Sequence, residues 1–163
     1  MSGWNRSLLV AGLIIVSLFG GCQKKEEPSS ESVLRISQRN EPGVLDPALA
    51  TLPDEFFIIR ALSEGLVSPS PDGGTEIAAA AKSWDISDDR LTYTFHLRTN
   101  ATWSNGEPLT ADDFLASYRR VLSPKAAAPK ANLFFLIKGA EAFYRSELTD
   151  FSKVGFTVID AQT

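Results

Sequence analysis

The sequence has almost none of the residues that build disulfide bonds and zinc sites. Its 163 residues include one cysteine, Cys22, and one histidine, His96. A single cysteine cannot close a disulfide within the chain, and structural zinc sites use four cysteine or histidine ligands. We therefore expect no internal disulfide, no metal site and no cofactor.

The sequence also lacks an excess of positive charge. Lysine and arginine number 16 against 20 aspartate and glutamate residues, which gives a formal net charge of −4. Proteins that bind nucleic acids concentrate basic residues in a patch or stripe, whereas here they are scattered. We therefore expect no nucleic-acid partner. The hydrophobic fraction of 44% and the charged fraction of 22% are typical of a globular chain.

Long hydrophobic runs are missing as well. The apolar run at residues 8–19 spans 12 residues. As a helix it is about 18 Å long, against a bilayer core of roughly 30 Å. Arg6 precedes the run, and two glycines and Cys22 follow it. Because this order of charged, apolar and small residues is typical of a secretory signal peptide, we predict an export signal at residues 1–21.

Cys22, directly after small residues, resembles the lipobox cysteine of bacterial lipoproteins. The resemblance implies that the signal is removed and that Cys22 becomes a lipid-anchored amino terminus in the cell envelope, periplasmic or at the cell surface. Residues 22–32 are predicted to be a flexible tether, because QKKEEPSSES contains no apolar residue. The alternative is a buried free cysteine in a signal anchor.

Residues 33–163 carry the periodic patterns of a folded domain. Alternating apolar and polar residues predict strands, and apolar residues three or four apart predict helices. Thr51 is predicted to cap the first helix, with Asp54 as its reciprocal partner. We expect strands at residues 33–37, 66–68, 91–98 and 153–160, helices at 54–65 and 110–122, a helical turn at 78–84, and a helical region at 132–145 interrupted near Gly139.

The polar stretch WSNGEPLTADDF at residues 103–114 has a structural interpretation. Asn105-Gly106 is a turn signal, because both residues tolerate positive φ. Thr110 and Asp113 have the spacing of a capping box at a helix start. We therefore expect this stretch to link a hairpin to a helix.

The same region also allows a catalytic hypothesis. An exported hydrolase could use Ser104 as its nucleophile and His96 as its base. However, Ser104 lacks the G-x-S-x-G context of a nucleophile elbow. His96 lies on the polar face of its predicted strand, where the sequence suggests no second ligand. We therefore predict that the protein is not an enzyme.

Several separated motifs resemble those of the solute-binding proteins of ABC importers, in the family that includes oligopeptide- and dipeptide-binding proteins. They are LDP near the first predicted strand, EGL after the first helix, TFHLR, and WSNGEPLTADDF. Separated motifs in the right order are more specific than one short pattern. The resemblance covers residues 33–124 and continues more weakly to Thr163.

The resemblance implies an α/β fold of the periplasmic-binding-protein type II class, with two lobes that close on a ligand and an extra α+β subdomain. Residues 33–50 correspond to the first strand and loop of lobe one. Residues 51–163 correspond to most of the extra subdomain. Members of the family are longer, so the resemblance implies an incomplete, amino-terminal part of such a protein.

The resemblance also implies a function. A monomer captures peptides or another small solute outside the cytoplasm and delivers them to the permease subunits of an ABC importer. By position, the ligand contacts correspond to Thr51, Leu52 and Pro53, and Lys130 stands where the family has an aromatic residue of the ligand cleft. From the residues alone, the segment at residues 48–56 is better interpreted as an ordinary surface loop than as a ligand-binding loop. A non-transport lipoprotein that uses the subdomain as an interaction module is the alternative function.

Overall fold

The computed structural model describes residues 33–163. The predicted signal peptide at 1–21, the lipidated Cys22 and the tether at 22–32 lie outside the described residues. The chain divides into two units, and residues 33–37 belong to the first of them. These five residues have no regular secondary structure, so the predicted strand is wrong. A short alternating pattern becomes a strand only where another strand satisfies its backbone groups.

The second unit, residues 38–163, combines helices with two small antiparallel sheets of two strands each. In these residues no helix has the length and apolar character needed to cross a bilayer. The elements in chain order are helix α1 (Pro53–Leu62), strands β1 (Val67–Ser68), β2 (Ile77–Ala78), β3 (Ala81–Ile86) and β4 (Tyr93–Leu97), helix α2 (Ala111–Val121), a 3₁₀ helix (Ala131–Phe134), helix α3 (Ala140–Tyr144) and a second 3₁₀ helix (Phe151–Lys153).

Strands β3 and β4 form a hairpin, which confirms the strand predicted from the alternating run at residues 91–98. Trp84 lies opposite Phe95, and Ile86 lies opposite Tyr93. Leu97, which is 2% exposed, is the buried residue of β4, whereas Tyr93 at the other end of the strand is exposed. The predicted helical turn at 78–84 is wrong, because most of that stretch belongs to β3.

The four consecutive alanines at residues 78–81 show why the helical turn predicted at residues 78–84 does not form. The N–H of Ala80 donates to the carbonyl of Gly65 (3.0 Å), and the N–H of Ala81 donates to that of Leu66 (2.9 Å). The carbonyl of Ala80 accepts from the N–H of Arg98 (3.0 Å). Alanine is the strongest helix former, but these non-local partners satisfy the backbone of a fully buried residue. Tertiary pairing therefore overrides local propensity.

The stretch at residues 103–114 folds as predicted. Gly106 has a φ of +90° and closes a turn by donating to the carbonyl of Trp103 (2.9 Å). At the start of α2, the carboxylate of Asp113 accepts from the N–H of Thr110 (2.8 Å) and from its hydroxyl (2.9 Å). These bonds lower the pKa of Asp113, with the Thr110 N–H as the largest cause. The stretch therefore links the hairpin to the helix.

The main hydrophobic core lies among α2, α3 and the chain that follows α3. The rings of Phe143 and Phe151 meet edge to face, 5.0 Å apart. The rings of Tyr118 and Phe156 stack 4.5 Å apart. The buried members of this core are Leu122, Ala140, Phe143, Phe151 and Val154.

The end of the chain differs from the prediction. Residues 153–160 were expected to form a strand, but a 3₁₀ helix ends at Lys153 and irregular chain follows it. The N–H of Gly155 donates to the carbonyl of Lys138 (2.8 Å), so this segment packs against a helix connection and not against a strand. The predicted interruption near Gly139 is confirmed, since Gly139 has a φ of +73° and immediately precedes α3.

Candidate functional site

Thr51, Leu52 and Pro53, three of the residues predicted to contact a ligand, end a segment at residues 44–53 that runs into α1 and includes the buried residues Ala48 and Ala50. Pro53 is the first residue of the helix, a position that suits proline because its N–H is not needed there. Leu52 precedes it in an extended conformation (φ −95°, ψ 146°) and is 54% exposed. Thr51 is exposed as well. The segment therefore presents three consecutive residues to solvent.

A single buried carboxylate holds both ends of this segment. Glu55 is 3% exposed. Its Oε2 accepts from the N–H of Thr51 (2.8 Å) and of Leu52 (3.0 Å), and its Oε1 accepts from the N–H of Val44 (3.2 Å). These hydrogen bonds lower the pKa of Glu55, with the Leu52 bond as the largest cause, because they favour the charged form.

The predicted cap of α1 is corrected by this geometry. Thr51 was expected to cap the helix with Asp54 as its partner, whereas Leu52 is the capping residue and Glu55 supplies the reciprocal bond. The glutamate lies at the third helical position, from which its side chain reaches back to the cap. Asp54 has another role, because its carboxylate accepts from the side-chain amide of Asn40 (2.8 Å).

An ion pair fixes the middle of the segment to α2. The Oδ1 of Asp46 accepts from the Nη1 of Arg120 (2.8 Å), and its Oδ2 accepts from the Nη2. The hydrogen bond to Arg120 is the largest cause that lowers the pKa of Asp46 from 3.8 to about 2. Asp46 also accepts from the N–H of Ala48 (3.0 Å). Bidentate pairs of this kind fix orientation as well as distance.

The backbone of residues 51–53 has few unused hydrogen-bonding groups. Both N–H groups of Thr51 and Leu52 donate to Glu55, and the carbonyl of Leu52 accepts from the N–H of Phe56 (3.1 Å). Pro53 has no N–H. Within residues 33–163 no group donates to the carbonyl of Thr51. The unused backbone group at this exposed residue is therefore an acceptor.

Lys130, the fourth predicted contact, lies elsewhere in the fold. It is exposed and precedes the 3₁₀ helix Ala131–Phe134, and its carbonyl accepts from the N–H of Leu133 (3.1 Å). In the described part of the chain, no hydrogen bond or ion pair joins Lys130 to residues 44–53. Thr51, Leu52 and Pro53 thus form one continuous exposed stretch, to which Lys130 is not directly bonded.

The residues of the hydrolase hypothesis do not form a catalytic arrangement in the described part of the chain. The Nε2 of His96 lies 2.8 Å from the Oδ2 of Asp85 on the neighbouring strand. Sequence reasoning missed this partner, because it placed part of β3 in a helical turn. Ser104 is exposed and has no hydrogen bond to His96. Residues 33–163 also contain no group of three metal-binding side chains.

A separate concavity of about 510 Å³ lies between β4, α2 and the chain after α3. Its walls include Tyr93, Phe95, Leu115, Tyr118 and Ile159. None of the residues that line it belongs to the segment 44–53. Sequence patterning could not reveal it, because its walls come from distant parts of the chain.

Comparison with known proteins identifies relatives that bind peptides. The dipeptide-binding protein DppE of Bacillus subtilis is 39% identical over 123 residues, which are 76% of this chain and 22% of DppE. The structure of the murein tripeptide-binding protein MppA of Escherichia coli matches with a TM-score of 0.72 at 37% identity, over 77% of this chain and 24% of that one. Listeria monocytogenes OppA bound to peptide matches with a TM-score of 0.76 at 31% identity, over 82% of this chain and 26% of that one.

The chain thus spans about a quarter of the length of the relatives that it matches. The predicted fold class is confirmed, since these structures are periplasmic-binding-protein type II folds and the described residues form part of one, with mixed helices and strands. The family model for "Bacterial extracellular solute-binding proteins, family 5 Middle" matches residues 76–163. The chain therefore belongs to the bacterial extracellular solute-binding proteins of family 5.

Proposed function

We propose that the chain forms one wall of a peptide-binding site in the extracytoplasmic solute-binding component of an ABC importer. The observation that carries this proposal is the segment 44–53, which ends in three exposed residues and is held by hydrogen bonds to Glu55 and Asp46. A preorganised segment binds with a smaller loss of conformational entropy than a mobile loop does. The peptide-bound structure of the Listeria relative supports a peptide as the solute.

The segment has the geometry that an extended ligand needs. Leu52 is extended and Thr51 is exposed, so a peptide can lie along residues 51–53 and donate a hydrogen bond to the carbonyl of Thr51, a partial form of strand addition. Thr51, Leu52 and Pro53 are the proposed ligand contacts. Lys130 is proposed as a fourth contact on the strength of the family resemblance alone.

The chain is proposed to bind peptides weakly by itself. Ligand sites bury most of the ligand surface between opposing walls. Because the chain spans about a quarter of the length of its relatives, we expect a dissociation constant of about 1 mM or weaker, on the order of −4 kcal/mol.

The location and the partners are further parts of the proposal. We propose that residues 1–21 direct export, that Cys22 carries the lipid anchor and that residues 22–32 form the tether. The permease subunits of an ABC importer are the proposed partners, and the chain is proposed to be a monomer without catalytic activity. Residues 33–50 and 51–163 are proposed to be its lobe-one and subdomain portions.

A titration followed by NMR tests the proposed function. The ¹⁵N-labelled full chain is titrated with trialanine and, as a control solute of similar size, with maltose. Trialanine is expected to shift the amide resonances of Thr51 and Leu52, with weak affinity, and maltose is expected to leave them unchanged. If trialanine moves no resonance of residues 44–53, these residues are not a peptide site.

A further inference from the structure

We infer that Glu55 makes residues 51–53 a ligand edge that accepts hydrogen bonds and donates none from its backbone, so that this edge selects a ligand N–H group. The inference rests on the proposed function, because it assumes that residues 51–53 face the ligand. It goes further by naming the chemical group that the ligand must present to Thr51.

The backbone N–H groups of Thr51 and Leu52 are both already used as hydrogen-bond donors to Glu55. In a strand pair, a residue that faces its partner offers its N–H and its carbonyl to the same side. At Thr51 the N–H is already held by Glu55 at 2.8 Å, and at Leu52 the N–H is held at 3.0 Å. Releasing either N–H to a ligand would leave a carboxylate that is 3% exposed with fewer partners, which is unfavourable for a buried charge.

Residues 51–53 offer no other backbone N–H group to a ligand. Pro53 has no N–H, so none of the three consecutive positions offers a backbone donor. The carbonyl of Thr51 has no donor within residues 33–163. A ligand amide or ammonium group satisfies this carbonyl, whereas a ligand carbonyl or carboxylate at this position meets no backbone donor.

The charge of Glu55 also affects which ligand groups are favoured at Thr51. Glu55 places a negative charge beside residues 51–53, and the N–H groups of Val44, Thr51 and Leu52 donate to it. This charge favours a donor or a cation at Thr51 and disfavours an anion. A peptide offers two such groups, its internal amides and its terminal ammonium, and both are N–H donors.

The test compares a peptide with an ester analogue that has no hydrogen-bond donor. The full chain, labelled with ¹³C and ¹⁵N, is titrated with trialanine and with the O-acetylated linear trimer of lactic acid, which keeps the carbonyls and the carboxylate but has neither an N–H nor an O–H donor. The carbonyl resonance of Thr51, observed through the amide of Leu52, is expected to shift with trialanine and not with the lactic acid trimer. N-acetyl-trialanine, which keeps an N–H at every nitrogen but loses the positive charge, then separates the sources: a retained shift shows that a neutral amide N–H suffices, and a lost shift assigns the charged ammonium group.

Three outcomes of these titrations would overturn the inference. If trialanine moves the resonances of residues 44–53 but not the carbonyl of Thr51, or if the lactic acid trimer moves that carbonyl equally, the acceptor role is wrong and the proposed function stands. If no peptide moves any resonance of residues 44–53, the proposed function and the inference are both overturned.

Variants of Glu55 test its role independently. In Glu55→Gln the amide protons of Thr51 and Leu52 are expected to exchange at least about tenfold faster, with Glu41→Gln as an exposed control that leaves them unchanged. Glu55→Asp keeps the charge and, by analogy with Asp113 on α2, reaches only the N–H of the capping residue. This frees the N–H of Thr51, so the preference for trialanine over the lactic acid trimer is expected to fall about tenfold. An unchanged preference in Glu55→Asp would contradict the inference even if the fold is intact.

Discussion

The guanidinium of Arg120 on α2 donates two hydrogen bonds to the carboxylate of Asp46, which lies 74 positions earlier in the chain. Asp46 in turn accepts from the backbone N–H of Ala48. The pair therefore connects the proposed ligand segment to the helix that packs on the aromatic core. A substitution of Arg120 is therefore expected to alter the segment 44–53, although Arg120 is not one of the proposed ligand contacts.

Replacing Arg120 with methionine tests this connection. The variant keeps most of the aliphatic side chain and removes both hydrogen bonds, and since the pair is partly exposed we expect a loss of about 1 kcal/mol in the free energy of unfolding. The amides of residues 46–50 are also expected to exchange faster than in the unmodified chain. Urea unfolding and hydrogen exchange measure the two effects. Lys125→Met, at an exposed position just beyond α2, is the matched control. If it lowers the free energy of unfolding as much as Arg120→Met does, the loss is not caused by breaking the pair of Asp46 and Arg120.

Acidification is expected to weaken the same connection. The pKa of Asp46 is lowered from 3.8 to about 2 in the folded protein, so its stabilising contribution is present above pH 3.8 and is lost as the pH falls through about 2. Asp46→Asn removes this contribution, so its free energy of unfolding should fall less steeply over that range than that of the unmodified chain. A shallower slope is also expected for Arg120→Met, because the Arg120 guanidinium causes the shift. Identical slopes for the unmodified chain and Asp46→Asn would contradict the assignment. Glu55 and Asp113 also have lowered pKa values, so both variants retain some pH dependence.

Gly139 and Gly73 provide a matched pair for testing the core. Both have a φ of +73°, but a Cβ at Gly139 would lie 3.2 Å from the carbonyl oxygen of Lys153, whereas a Cβ at Gly73 meets nothing within 4 Å. Gly73→Ala is expected to cost about 1 kcal/mol in the free energy of unfolding, the penalty of the left-handed backbone alone. Gly139→Ala is expected to cost about 1–3 kcal/mol more, because a well-packed neighbour must move. If urea unfolding gives the same loss of free energy for Gly73→Ala and Gly139→Ala, the close contact with the carbonyl of Lys153 does not destabilise the Gly139 variant.

Membrane attachment is tested at Cys22. Expression of the full chain in a bacterium supplied with labelled palmitate is expected to give a labelled chain that fractionates with membranes. Cys22→Ser is expected to remove the label and to release the chain from the membrane fraction or to leave its signal uncleaved. Label that persists in Cys22→Ser would exclude this residue as the lipid attachment site.

The parts of the fold that sequence predicted best depend on neighbours in the chain. The turn at Asn105-Gly106 and the start of α2 at Thr110 and Asp113 form through contacts within a few residues, and residue type alone specifies them. The strand at residues 91–98 was also predictable from its alternation, although on the predicted apolar face Leu97 is buried whereas Leu91 and Tyr93 are exposed.

The misassigned parts depend on distant partners. The alanine run is held by carbonyls of Gly65 and Leu66, and residues 153–160 follow Lys138 instead of a strand. In the candidate site, the family motif located residues 51–53, but it did not indicate that Glu55, one position after the predicted partner Asp54, holds them. A local sequence pattern also could not predict the ion pair between Asp46 and Arg120, because 74 positions separate the two residues in the chain.

The aromatic core has a practical consequence for measuring how this chain unfolds. The described tryptophans, Trp84 on β3 and the half-exposed Trp103, lie outside the core of phenylalanine and tyrosine rings around Leu122. Emission from Trp84 and Trp103 therefore reports on the hairpin and the turn that follows it, whereas near-ultraviolet circular dichroism also includes the rings of the helical half, among them Phe143, Phe151 and Tyr118. Coincident transitions from the two probes would show that both halves unfold as one cooperative unit, and separated transitions would reveal two.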